Sequence, residues 1–305
     1  MALEKPKYTA EAVAAWRAAG AKEKDERVRN PDFLAVKFLG LKFYLISRFP
    51  PLTKLALRKF EKVVPGGYYF HIVRTKHIDA TLGRAIEAGL EQLVILGAGY
   101  DSRPYRFRDQ LKGVRVFEVD LPGTQARKEQ RLAKLFGTLP DWVTFVPIDF
   151  NTQRLDILLP ESGYDPRRKT FFIWEGVCMY ISPEAVDEAL SFVSHHSGPG
   201  SSIVFDYIYR TVVDGTCDYY GAREVLKYVT KIGEPYLFGI EEGKAEQFLS
   251  QRGFQLVTNF GPQQLEQMYL IRQDGRLHGR MYGYTDIVHA LVRPGTAASG
   301  PRVPS

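Results

Sequence analysis

The chain has 305 residues, 45% apolar and 25% charged, the balance of a globular protein with one large domain or a core carrying an elaboration. The net charge of +6 comes from dispersed basic residues, with modest clusters at Arg106/Arg108, Arg127/Lys128/Arg131/Lys134 and Arg167/Arg168/Lys169, which reads as solvated helix faces rather than a nucleic-acid surface. Two cysteines, Cys178 and Cys217, exclude a disulfide framework and lack metal-site spacing; the charged amino terminus is no secretory signal, and no apolar run approaches the ~20 residues of a membrane span.

In chain order, residues 8 to about 62 read as helical. Ala10 to Ala21 is alanine-rich, and Asn30-Pro31-Asp32-Phe33 reads as a cap opening a second helix from Asp32 towards Phe43 and Leu45. Pro50-Pro51 and Pro65-Gly66-Gly67 interrupt the pattern, and Tyr68 to Ala88 resumes it, with Ile72, Thr75, Ile78, Asp79, Leu82 and Ile86 at helical spacing. From residue 92 short apolar runs alternate with helical segments: Gln92–Leu96, Val114–Val119, Val143–Ile148, Phe171–Trp174 and Ser202–Tyr207. A helix capped by Ser182, with Pro183 first, lies between the last two. This is the pattern of a mostly parallel sheet covered on both faces. Residues 208 to about 245 break the alternation as an aromatic-rich insertion, bordered by Tyr207 and containing Tyr219, Tyr220, Tyr228, Tyr236 and Phe238. Gly253–Val257 and His289–Val292 are expected as the last strands, the final one antiparallel. The segment from Pro294 to Ser305 has almost nothing to bury and reads as a frayed tail. The expected division is a helical cap over 1–88, a core over 89–293 and the tail.

The chemistry concentrates at strand ends. Leu93-Val94-Ile95-Leu96 runs into Gly97-Ala98-Gly99, a sharp turn that a ligand can approach without meeting a side chain. A dinucleotide fingerprint wants a third glycine at 102, where this chain has Ser102. Asp120 ends the second strand, where a carboxylate accepts hydrogen bonds from a pair of ribose hydroxyls. Glu118, two residues earlier, points to the same side but deeper, and reads as a residue paired within the sheet. Asp149 ends the third strand, placed to accept from an adenine amino group while Phe150 packs on the ring; capping of the next helix is the plainer alternative. Glu175 follows an apolar strand and precedes Gly176, a costly place for an unbound carboxylate. Asp206, near the end of the fifth strand, is a weaker candidate of the same kind.

Val94 to Arg103, Phe117 to Pro122, Asp149-Phe150 and Trp174-Glu175-Gly176-Val177 to Tyr180-Ile181, in this order, resemble the leucine carboxyl methyltransferase family. The likeness spans roughly residues 25–292 and is closest to the bacterial and archaeal branch of O-methyltransferases that includes polyketide-tailoring enzymes. It implies a Rossmann-like class I α/β fold with a seven-stranded, mostly parallel sheet, and S-adenosyl-L-methionine as cofactor. On that resemblance Gly97, Ala98, Gly99 and Asp101 would hold the methionine part, and Asp120 with Leu121 the ribose. Asp149 and Phe150 would bound the adenine. Glu175 would face the cofactor's ammonium and Arg74 its carboxylate, a cationic fork and an anion for a zwitterion. An upstream lysine also contributes in the family, and Lys22, Lys24 and Arg27 all lie near enough.

The resemblance implies methyl transfer to an oxygen of a small-molecule acceptor, polyketide-like or aromatic. A carboxylate acceptor needs no base, whereas a hydroxyl normally wants one. None of the six histidines follows a strand, so no base is assigned. Tyr207, Tyr219 and Tyr220 are expected to form the substrate lid with the amino-terminal helices. A protein carboxyl group as acceptor, a nucleic-acid acceptor and a non-catalytic cofactor-binding regulator are the alternatives; the Asn/Asp-Pro-Pro-aromatic sequence of base amino-group methylation is absent after the fourth strand. The expectation is therefore a cytoplasmic enzyme with no metal, nucleic acid or membrane partner.

Overall fold

In the computed structural model, which describes residues 8–150 and 152–294, seven strands form one sheet. They are β1 (Gln92–Leu96), β2 (Arg115–Asp120), β3 (Val143–Pro147), β4 (Thr170–Trp174), β5 (Ser202–Ile208), β6 (Phe254–Phe260) and β7 (Thr285–Val292). The order is β3-β2-β1-β4-β5-β7-β6. β1 to β5 pair in parallel, and β7 runs antiparallel between β5 and β6. Every residue of β1 and β4 is buried, because apolar side chains at successive positions serve opposite faces of the sheet. Leu93 and Ile95 join one core and Val94 and Leu96 the other. The order reverses between β1 and β4, which opens a crevice at the carboxyl ends of these strands.

The helices are α1 (Tyr8–Gly20), α2 (Leu41–Arg48), α3 (Pro50–Val63), α4 (Gly67–Glu87), α5 (Arg103–Arg106), α6 (Pro122–Phe136), α7 (Leu155–Glu161), α8 (Pro183–His195), α9 (Arg210–Val213), α10 (Ala222–Lys231), α11 (Ala245–Ser250) and α12 (Pro262–Tyr269). α4 packs Phe70, Ile72, Val73, Ile78 and Leu82 with Leu93, Ile95 and Val204, so it is a layer of the core rather than part of a separate cap. α7, α8 and α11 supply the other face through Leu155, Leu159, Val186, Leu190 and Leu249. Ser182 Oγ accepts from Ala185 N at 3.2 Å and starts α8 as its sequence predicts.

The expected single helix from Asp32 does not form. Asn30 Oδ1 accepts Asp32 N at 2.8 Å, and Asp32 is drawn inward by Arg17 at 3.2 Å and Ser102 Oγ at 2.6 Å. The chain makes only a short 3₁₀ turn at Ala35–Phe38 and restarts as α2 after Gly40, whose N–H is held by Glu11. Pro50-Pro51 opens α3 instead of ending a helix, since the first turn has no N–H to lose. α12, which no pattern marked, begins at Pro262 in the same way. Except for Pro294, the carboxyl-terminal tail lies outside the described residues. No helix among the described residues is long and apolar enough to cross a membrane.

Candidate active site

The turn after β1 is held by the end of β2. Gly97 N and Ala98 N donate to Val119 O at 2.8 and 2.9 Å, and Gly99 N donates to Asp120 Oδ2. Gly97 has φ +69°, and a Cβ there would stand 2.3 Å from Val177 Cγ2. Gly99 has φ +44°, and a Cβ there would meet only ordinary contacts, Ala10 Cβ and Gly97 O at 3.9 Å. Glycine is therefore required at 97 by the backbone angle and by Val177, and at 99 by the angle alone. Asp120 is mostly buried, and its Oδ1 accepts Leu121 N at 2.6 Å.

Glu175 leaves the end of β4 into a group of arginines. Its Oε2 accepts Arg103 Nη1 at 2.6 Å, and its Oε1 lies 3.0 Å from Arg74 Nε and 3.9 Å from Arg17 Nη1. Burial pushes this carboxyl up, but Arg103, Arg74 and Arg17 outweigh it and hold it below the ordinary carboxylate range. Arg74 spends Nη1 on Asp206 Oδ2 at 2.7 Å, and Asp206 Oδ1 accepts Gly176 N at 2.7 Å. Arg103 is fixed by Asp101 at 2.5 Å and Asp79 at 2.7 Å. The carboxylate that looked costly in the sequence is thus met by cations of three elements, α1, α4 and α5.

Glu175, Arg74, Arg17 and the glycine loop with Asp120 border a cavity of about 280 Å³ at the crevice. The cavity brings together Arg74, Gly97, Ala98, Gly99, Asp101, Asp120, Leu121, Asp149, Phe150 and Glu175, all the cofactor-site candidates read from the sequence. Asp206 does not line it and acts through Arg74 and Gly176. Glu118 lies deeper, 2.7 Å from Lys128 and 2.8 Å from Tyr105 Oη. Burial outweighs Lys128 there and pushes the carboxyl up to about 7.

The three lid tyrosines are elsewhere. Tyr207 points from β5 to Asp286 at 2.9 Å, Tyr219 bonds Glu242, and Tyr220 bonds Glu61 at 3.1 Å; none lines the cavity. The insertion instead contributes Val225, Tyr228 and Val229, one face of α10, together with Tyr236; Tyr180 and Tyr282 complete an aromatic wall. The helical period of α10 decides which aromatic side chains face inward, and a count of tyrosines does not reveal it.

Arg17 was not singled out in the sequence, and His71 was not assigned a role there; both line the cavity. Arg17 projects from α1 beside Glu175, its Nη2 on Tyr100 O at 2.6 Å, while Lys22 turns to Ser47 O and Arg27 reaches Arg272 O at 3.5 Å. An alanine-rich helix gives Arg17 no distinguishing neighbour. His71 stands one turn before Arg74 on α4, near Phe60, and its buried Nδ1 has no hydrogen-bond partner among the described residues. Burial, together with Arg74 and Arg17, pushes its pKa well below the usual histidine range against the pull of Glu175. The three-residue spacing from Arg74 was the available signal.

The sheet order and the glycine loop clasped by Asp120 define a Rossmann-like, class I methyltransferase that uses S-adenosyl-L-methionine. A solved structure from Thermobifida fusca, provisionally named a methyltransferase, shares the fold, with TM-score 0.59 and 14% identity over 92% of this chain and 94% of that one. The model of the leucine carboxyl methyltransferase family matches residues 10–194. YktD of Bacillus subtilis, provisionally named an S-adenosyl-L-methionine-dependent methyltransferase, is 31% identical over 68% of this chain and 67% of its own length. A Mycolicibacterium smegmatis protein with the same provisional name is 30% identical over 81% and 82%. The chain belongs to the leucine carboxyl methyltransferase family.

Proposed function

We propose that the protein transfers a methyl group to a hydroxyl oxygen of a small, apolar, aromatic acceptor. When bound, S-adenosyl-L-methionine supplies an activated methyl whose transfer is an in-line displacement. The residues present fit that cofactor: Arg74 and Arg17 set positive charge at the cavity for its carboxylate beyond the pairs they already make, and Glu175 offers an anion to its ammonium. Asp120 offers acceptors to ribose hydroxyls, Asp149 to the adenine amino group, and Phe150 a ring face. What the protein itself contributes is alignment of acceptor oxygen and methyl, worth up to ~7–11 kcal/mol.

The observation that carries the hydroxyl reading is the wall facing the acceptor. It is built from Trp16, Phe60, Met179, Tyr180, Tyr236 and Tyr282. Among the described cavity-lining residues the cations are Arg17 and Arg74, each already facing a carboxylate. A carboxylate acceptor would be desolvated there without a cation of its own. Among the described residues His71 is the one imidazole lining the cavity, and its unpaired Nδ1 is placed to take the hydroxyl proton as the new O–C bond forms. Labelled methyl transfer to a panel of phenols and matched carboxylic acids tests this. Phenols should be methylated, and His71→Gln should lower kcat 10²-fold or more at neutral pH, with recovery as alkaline pH ionises the phenol. Methylation of the acids at equal rates in both proteins would refute it.

A further inference from the structure

Among the described residues, the amino-terminal helices leave one face exposed. On α2, Leu41, Tyr44, Leu45 and Arg48 follow at three- and four-residue steps on the outward side, Leu41 being 75% exposed. Phe49 turns the chain and α3 continues the surface with Leu52, Leu55 and Val63; none of the 14 residues of α3 is buried. Seven large exposed apolar side chains within 41–63 exceed the scattered exposure of an ordinary surface. Between them stand Lys42, Arg48, Lys54, Arg58, Lys59 and Lys62, against the single acid Glu61. This segment therefore carries +5 of the chain's net +6. The other side of α3 bears Phe60, which with the adjoining Val64 lines the cavity. The basic apolar surface and the cavity wall are two sides of one helix.

We infer that the α2–α3 hairpin docks on an anionic lipid surface. Its apolar side chains enter the headgroup region while its six cations meet lipid phosphates. The charge disfavours a second copy of this chain, which would set +5 against +5. A nucleic acid would meet the cations but leave the apolar side chains in water. The expectation of no membrane partner rested on the lack of a spanning segment, which surface docking does not need. Docked this way, the helix that meets the lipid is also the one whose Phe60 lines the cavity.

Co-sedimentation of the full chain with vesicles tests the inference, using phosphatidylcholine alone and phosphatidylcholine mixed with phosphatidylglycerol. Binding should require phosphatidylglycerol and weaken with salt. Lys54→Gln with Arg58→Gln should lose about 5-fold per cation, roughly 30-fold together. Leu41→Ser with Leu45→Ser should also release the protein, with unchanged circular dichroism and melting temperature in both variants. Failure to bind anionic vesicles, or equal binding to neutral ones, would overturn the proposal. So would a dimer in solution that separates in the Leu41/Leu45 variant. Binding to single-stranded DNA that survives the loss of both leucines would assign the face to nucleic acid instead.

Discussion

In Asp120→Ala, the carboxylate that closes the glycine loop is removed together with the proposed acceptor for two ribose hydroxyls. Within the protein Asp120 receives N–H groups from Gly99 and, at 2.6 Å, from Leu121. Both donors are half-buried, so water reaches them once freed and the loss of stability is about 1–2 kcal/mol. That corresponds to a fall in Tm of roughly 2–3 °C for a chain of this size. The cofactor loses charge-assisted bonds worth about 1.5–3 kcal/mol, a rise in Kd of roughly 10- to 150-fold. Calorimetric titration with S-adenosylhomocysteine and a melting curve on the same sample separate the two effects. Asp120→Asn keeps one acceptor oxygen and should fall between. A lowered Tm with unchanged affinity would refute the ribose assignment and leave Asp120 as a clasp for the loop.

The two buried carboxyls should shift stability with pH in opposite directions. Glu175 is held below its ordinary 4.5, so its stabilisation is complete above that value and drains as pH falls through the folded one. Glu175→Gln should cost about 3–5 kcal/mol near neutrality and flatten that acid limb in urea melts, because three arginines lose their shared partner. Glu118, raised from 4.5 to about 7, loses the fold on the order of 3 kcal/mol as pH climbs through that interval. Its carboxyl carbon resonance should titrate near neutrality, and a midpoint at the ordinary value would contradict the burial argument. Gly97→Ala forces a side chain into φ +69° and against Val177, so cofactor affinity should drop sharply. Val177→Ala should restore only part of it. Tyr228→Ala should raise the acceptor KM about 10-fold without altering S-adenosylhomocysteine affinity, while Tyr219→Ala should change neither.

Much of the core was legible in order. The runs at 93–96 and 171–174 are apolar at successive positions because both faces of those strands are covered, and that pattern is local; the edge strand at 143–147 buries only Val143 and Val146. The cofactor end of the site was legible for the same reason. Gly97, Asp120, Asp149 and Glu175 each sit at or just beyond the end of a strand, and a parallel sheet brings such ends to one edge whatever the helices do. Arg17, His71 and Tyr228 lie on helices, where the period says which residues share a face but not what that face meets. The helix expected after Asp32 was lost to Arg17 and Ser102, partners distant in sequence. So the sequence by itself determined the sheet, the glycine turn and the acids around it. Only the tertiary structure decided which arginines neutralise Glu175 and which tyrosines wall the cavity. It also decided that the charge of the α2–α3 hairpin faces outward. These depend on how helices settle against the sheet, and docking is set by contacts that no local pattern records.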